Sequence, residues 1–366
     1  MAKRAKPPGH WRRAYEDHRL LLLVAVVYSV AVCGWALWWG IPFRDLLSVG
    51  SFFMMSTVFG VVFLSLMYVS VFFAAFAASK AKSFSARRLA AVKKMDAWAA
   101  NYLDGERMPY AVMGLLAASM GNFFFICKSL IRVVKPYEMS GWDLACAKMD
   151  KFLHFGHYPH EFIIPAVNAL HLARPLDILY AGWLVVMYVV TAWNIFGDTS
   201  VYRRLRFLWA YLLAWIFLGS IGATYMSSVG PLFVQYFVPE HTDIYAGLAQ
   251  NFNDIIKNDF FFAAKTRELL LKWTMSEQVF QPNALSAMPS MHVAVAWLMT
   301  LYARAYNRTL FYVSAVFCFA VVIGTVYFGF HYAVDSYLSI PVVTALWWGC
   351  GKWLKRSGVN KKRVLE

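Results

Sequence analysis

The sequence predicts an all-α polytopic membrane protein with about eight transmembrane helices. Three observations lead there. Hydrophobic residues make up 60% of the 366 and charged residues only 15%, against roughly 45–50% and about 25% in a soluble domain. The apolar residues gather into runs of about 18 or more, the length that crosses a ~30 Å hydrocarbon core. Lysines and arginines collect at the ends of those runs, as topology control requires.

Taken in order, the first run covers 20–40 and follows a basic N-terminus. It is too long for a signal-peptide core and lacks a small-residue cleavage site, so it reads as a retained span. Further spans are predicted at 53–79, 109–130, 177–197, 206–226, 290–306, 309–329 and 331–351. Residues 80–107 carry Lys80, Lys82, Arg87, Arg88, Lys93 and Lys94, with Leu89, Val92, Met95 and Trp98 at helical spacing. That pattern predicts an amphipathic helix on the membrane surface. Two connections, 131–176 and 227–289, contain helical periodicity over Trp142–Leu153 and Ile244–Trp273, and are expected to lie in the opposite interface. The chain thus divides into a basic N-terminus (1–19), two spans with the amphipathic segment (20–108), a membrane core that holds the chemistry (109–351) and a basic tail (352–366).

If the spans alternate, 24 of the 35 lysines and arginines fall on one side, which the positive-inside rule assigns to the cytoplasm. Both termini are then cytoplasmic. The formal charge of +15 is spread over span ends rather than one surface, which suits anionic lipid headgroups and not nucleic acid. The bilayer is therefore the expected partner. Cys33, Cys127, Cys146, Cys318 and Cys350 have no metal-ligand or disulfide spacing and read as buried apolar residues.

Ionisable residues at span ends are expensive unless used. Ala287-Met288-Pro289-Ser290-Met291-His292 opens the sixth span. Pro289 suits a first helical turn, where free N–H groups and the helix dipole would favour a phosphate; His292 in that turn could protonate a leaving oxygen. Between the seventh and eighth spans, Gly324 and Gly329 allow the chain to turn. His331 and Asp335, four apart, are expected to share a helix face. A carboxylate on one imidazole nitrogen fixes the tautomer and leaves the other free to attack. A Pro-Ser-x-His or a His-x-x-x-Asp alone is a common accident. Here both fall at the outer ends of consecutive spans.

These two motifs resemble those of the type 2 phosphatidic acid phosphatase superfamily, and within it the branch of inositol phosphorylceramide synthases. In that branch the last motif reads Thr-x-Tyr-x3-His-Tyr-x2-Asp, and Thr325, Tyr327, His331, Tyr332 and Asp335 match each fixed position. The resemblance covers about 110–350 and implies a six-helix phosphatase-like core. It also implies that His331 attacks phosphorus to form a phosphohistidine, that Asp335 orients it, and that His292 protonates the leaving group and activates the acceptor. The sequence departs from the phosphatases where they carry an arginine, replaced here by Thr325. It departs again at Ser227-Ser228-Val229-Gly230-Pro231, which has no cation where their first motif would lie.

A buried phosphate needs positive partners. Lys128, Arg132 and Lys135 share one helical face at the outer end of the third span and are the candidate suppliers. Ser290 and Tyr327, from within the two motifs, complete the expected phosphate-binding set. Interfacial snorkelling is the competing reading of the three cations. His154, His157 and His160 could hold zinc by spacing, but Gly156 and Pro159 interrupt the helix that would align them, and an interfacial element at a lipid entrance is the expected role. No nucleotide-binding loop is present, and a histidine nucleophile calls for no metal or cofactor.

The expected substrate is a phospholipid or polyprenyl phosphate, with a lipid alcohol or water as acceptor. The missing arginine and the branch match favour headgroup transfer. Hydrolysis of a phosphomonoester is the alternative, and a catalytically inactive transporter or scaffold the second. The expected location is a bacterial inner membrane, with the site facing the periplasm or exterior.

Overall fold

A computed structural model of the chain describes residues 9–41, 50–134, 141–257, 259–275 and 285–365. Among them the regular structure is helical, apart from one isolated bridge between Ser200 and Val364. The first helices are α1 (His10–Trp38), α2 (Gly50–Ala78), α3 (Phe84–Asp104), α4 (Arg107–Met120) and α5 (Phe124–Val134). Next come α6 (Trp142–Leu153), α7 (Pro159–Ala169), α8 (Ala173–Ala192), α9 (Val201–Ala214), α10 (Thr242–Ile256) and α11 (Phe262–Met275). The chain ends on α12 (Met291–Arg304), α13 (Arg308–Tyr327) and α14 (Ala333–Arg356).

The all-α polytopic architecture is as predicted, but not every predicted span is a simple one. Among the described residues, five stretches are long and apolar enough to cross a membrane: His10–Trp38, Thr57–Ala78, Ala173–Gly197, Val201–Tyr225 and Arg308–Tyr327. The third predicted span divides into α4 and α5 around a 3₁₀ turn at Gly121–Phe123, where glycine weakens the helix. The sixth, α12, has 14 residues and spans only about 21 Å. The eighth, α14, is long but opens on Asp335, Ser336 and Ser339, all buried, so the polar residues that serve the site lower its hydropathy.

The amphipathic segment forms α3, with Ser83 accepting the Ala86 amide at its N-cap. The predicted outer helix 142–153 is α6. The predicted 244–273 helix is instead two, because Asp177 accepts the Phe262 and Ala263 amides at 2.8 Å each and starts α11 afresh. The heart of the fold is α9, most of whose side chains are buried. It packs against α12 and α14, while α13 closes on α8 and α12. Past Ala214 it continues as a π-helical turn, Trp215–Gly222. A Cβ on Gly222 would meet Pro289 Cγ at 3.1 Å, so glycine lets the 285–291 loop lie on this turn.

Candidate active site

Two loops meet at the N-terminal ends of α12 and α14. In the first, Ser290 rather than Pro289 begins the helix: its hydroxyl accepts the Val293 amide at 3.4 Å and α12 starts at Met291. The sequence expectation for Pro289 is therefore corrected. A helix start needs an acceptor for its free amides, Ser290 is that acceptor, and the proline stands outside the helix after a cis Met288–Pro289 bond. His292 lies in the first turn, as expected. Its ring stacks on Tyr180 of α8 (centroids 4.9 Å apart, planes 18° apart) and lies tilted against Trp183, with ring centroids 4.4 Å apart.

In the second loop Gly329 turns the chain with φ +71, and the His331 amide donates to the Thr325 carbonyl at 3.2 Å. His331 and Asp335 do not share a helix face, because His331 precedes α14. They meet because Asp335, in the first turn, accepts the Tyr332 amide at 3.1 Å and reaches back to His331 Nδ1 at 3.2 Å. Capping places the carboxylate, in place of the expected i,i+4 alignment.

Nδ1 of His331 also lies 2.7 Å from the Ala287 carbonyl oxygen. A carbonyl can only accept, so Nδ1 carries the proton and Nε2 keeps its lone pair. That nitrogen faces Nδ1 of His292 at 3.2 Å, and the proton between them belongs to His292. The pair sets a nitrogen lone pair against a proton donor in one contact.

Residues not singled out from the sequence hold the two loops. Asp150 of α6, 3% exposed, accepts the Ala333 and Val334 amides at 3.0 and 2.8 Å, clamping the first turn of α14 beside His331. Burial pushes its carboxyl up to about 6, against the pull of those two amides. Asp143, two turns earlier on the same face of α6, accepts the Val229 and Gly230 amides and the Tyr332 hydroxyl. Ser228 accepts the Ala287 amide on its carbonyl at 2.9 Å and the Met288 amide on its hydroxyl at 3.0 Å. Leu232 N donates to the Gly329 carbonyl at 2.8 Å. The cation-free 227–231 segment is thus the strap between both histidine loops. An aspartate repeat at 143 and 150 on the small-residue side of α6 was the readable signal.

Of the expected phosphate-binding residues, Lys128 lies in α5 and is half-buried. Lys135 and the side chain of Arg132 lie outside the described residues. Ser290 is fully buried with its hydroxyl on the α12 cap. Tyr327, also buried, donates to Asn168 Oδ1 at 2.7 Å. The three spaced histidines go separate ways. His154 Nε2 lies 2.8 Å from the Tyr337 hydroxyl, His157 pairs with Glu161, and His160 stacks on Tyr158.

The sequence model of the PAP2 superfamily matches residues 145–348, more than half of the chain, and the chain belongs to that superfamily. It is a membrane protein of the phosphatase and phosphotransferase type that acts on lipid phosphates. No curated protein and no solved structure matches it. The matched stretch runs from within α6 into α14, narrower than the 110–350 that the motifs suggested. It contains His292, His331, Asp335 and Asp150, and leaves Lys128 outside.

Proposed function

We propose that the chain is a phosphotransferase that moves a phospho-headgroup between lipids through a phosphohistidine, as the resemblance to inositol phosphorylceramide synthases implies. The observation that carries this reading is the 3.2 Å contact of His331 Nε2 with His292 Nδ1, with His331 Nδ1 anchored on Ala287 and Asp335. In the first half-reaction Nε2 forms a bond to phosphorus and the ester P–O bond breaks. The leaving oxygen takes the Nδ1 proton of a His292 imidazolium, whose charge the phosphate offsets. In the second, His292 Nδ1 takes the proton of the acceptor hydroxyl, that oxygen attacks phosphorus, and the N–P bond breaks. For the attack, His292 must swing aside to admit phosphorus between the rings.

Lys128 supplies the charge that Thr325 cannot. Thr325 is spent within α13, its hydroxyl donating to the Val322 carbonyl at 2.7 Å. On the far face of the Trp215–Gly222 turn, an apolar cavity of about 900 Å³ is lined by Val27, Tyr28, Trp35, Cys127, Ile216 and Tyr225, a size and lining that suit a hydrocarbon chain. The site faces the exterior or periplasm with both termini cytoplasmic, following the charge distribution along the chain.

Purified protein incubated with labelled phosphatidylinositol and related lipids, with and without ceramide or diacylglycerol, tests this reading. A new labelled lipid that depends on the acceptor is expected. Release of free phosphate or headgroup phosphate alone would assign hydrolysis instead. Unchanged turnover in His331→Ala and Asp335→Asn would remove the histidine mechanism altogether.

A further inference from the structure

At the other end of the spans, a cavity of about 400 Å³ opens between α9, α14 and the C-terminal tail. Arg203, Arg206, Lys352, Lys355 and Lys361 line it. Arg203 is neutralised by Asp198 at 2.8 Å. The other four have no acidic partner among the described residues, and Lys355 feels the charges of Lys361, Arg206 and Lys352 together.

The fold builds this convergence. Arg206 lies flat across α14, its Nε donating to the Trp347 carbonyl at 3.0 Å and its guanidinium 3.9 Å from the Trp347 ring centroid. Only glycine at 351 admits it, since a Cβ there would come within 2.7 Å of that Nε. Lys361 arrives because the tail is tied back to the start of α9. Val201 N donates to the Arg363 carbonyl and Leu365 N to the Thr199 carbonyl. Its ammonium then sits over the Tyr202 ring. Four like charges gathered this closely repel, and an anion with several oxygens relieves them. The rim identifies the kind of anion. Trp348, 61% exposed, lines the same cavity near the end of a membrane helix, where an indole sits at the headgroup level of a bilayer.

We propose that this cavity binds the phosphate headgroup of an anionic phospholipid from the leaflet on the basic side of the protein. The shared chemistry is a phosphate oxyanion, and Trp348 assigns it to a lipid rather than to free phosphate. The proposal does not rest on the reaction at His331.

The test uses the full chain in mild detergent, with native mass spectrometry of bound phosphatidylglycerol, phosphatidylcholine of the same chains, and inorganic phosphate as competitor. Phosphatidylglycerol is expected to be retained and phosphatidylcholine not. The triple variant Lys352→Glu, Lys355→Glu, Lys361→Glu should weaken retention by roughly 100-fold, from the loss of three surface cations. Replacing the same three lysines by arginine should restore it, which separates lost binding from lost folding. Equal retention of both lipids, or of phosphatidylglycerol by wild type and the glutamate variant, would overturn the proposal. Displacement of the lipid by equimolar inorganic phosphate would overturn its assignment to lipid.

Discussion

Replacing Asp150 by Asn tests whether α6 holds the nucleophile in place. The change keeps size and shape but turns one carboxylate oxygen into an amide donor. That donor then faces either the Ala333 or the Val334 amide, which now donate at 3.0 and 2.8 Å. One buried N–H is left unpaired, at a cost of about 1–3 kcal/mol. The amides belong to the first turn of α14, and His331 sits two residues before it. A shift of about 1 Å in a reacting group can cost ~100-fold in rate. The expected result is a 10- to 100-fold loss of kcat with KM little changed, because both Asp150 oxygens are engaged by backbone amides.

The pH dependence sharpens the test. Asp150 titrates at about 6 in the fold against 3.8 for an ordinary aspartate, with Asp335 and His154 as its charged neighbours. Its folded value is raised, so this contribution to stability is complete below about pH 3.8 and is lost as pH rises through about 6. It amounts to about 3 kcal/mol, at ~1.4 kcal/mol per tenfold change in proton affinity. Activity runs the other way, because only the ionised carboxylate offers both oxygens and a full negative charge to the α14 N-terminus. The wild type should therefore lose thermal stability in detergent between pH 4 and 7 by more than Asp150→Asn does. The ratio of variant to wild-type kcat should lie nearest unity at pH 5 and fall above pH 6. A ratio that stays flat across that range, with kcat within twofold of wild type, would refute the clamp.

The other predictions concern the groups that the proposed mechanism places at phosphorus. His331→Ala should abolish turnover and the acid-labile, alkali-stable phosphoenzyme seen after quenching with ³²P-labelled lipid. His292→Ala should slow lipid turnover by about 10²- to 10⁴-fold, the usual worth of a positioned acid. It should slow turnover of a nitrophenyl phosphate ester far less, since that leaving group needs no proton. Asp335→Asn should cost only about 10- to 100-fold, measured as kcat. Loss of the orienting carboxylate in a triad costs ~10⁴ through the wrong tautomer, but here the Ala287 carbonyl at 2.7 Å still holds the Nδ1 proton. Lys128→Gln should lower kcat/KM by about 10- to 100-fold and Lys128→Arg should retain most of it, measured with the same labelled lipid.

The fold was legible where apolar runs were long. The helices α1, α2, α8, α9 and α13 follow from hydropathy and length alone. It was less legible where function lowers hydropathy, as in α14, whose first turns carry Asp335, Ser336 and Ser339. The two histidines and Asp335 could be found from spacing and topology, but not the way they meet. Pattern placed His331 and Asp335 on one helix face, whereas the Asp335 carboxylate is fixed by capping the Tyr332 amide and reaches His331 from there. Local sequence does not say whether a helix begins before or after a histidine when Tyr332 and Ala333 are equally able to start it. The carbonyl of Ala287, the stronger anchor by distance, belongs to the backbone, which has no sequence signature.

Asp143, Asp150 and Asp177 share a second kind of concealment. Each is buried, and each accepts pairs of backbone amides from a segment far away in the chain. A buried carboxylate is costly in an apolar setting unless such donors compensate it. An acid in an outer connection reads at first as a solvated loop residue. The register tells otherwise: Asp143 and Asp150 lie seven apart, with Cys146 and Ala147 between them on the same buried side of α6. These connecting elements are therefore fastened to the bundle by contacts of carboxylate to backbone amide, which are directional in a way that apolar packing is not. Under the proposed mechanism His331 Nε2 must meet phosphorus along one line, and that directionality would make the acids of α6 positioning residues for the step.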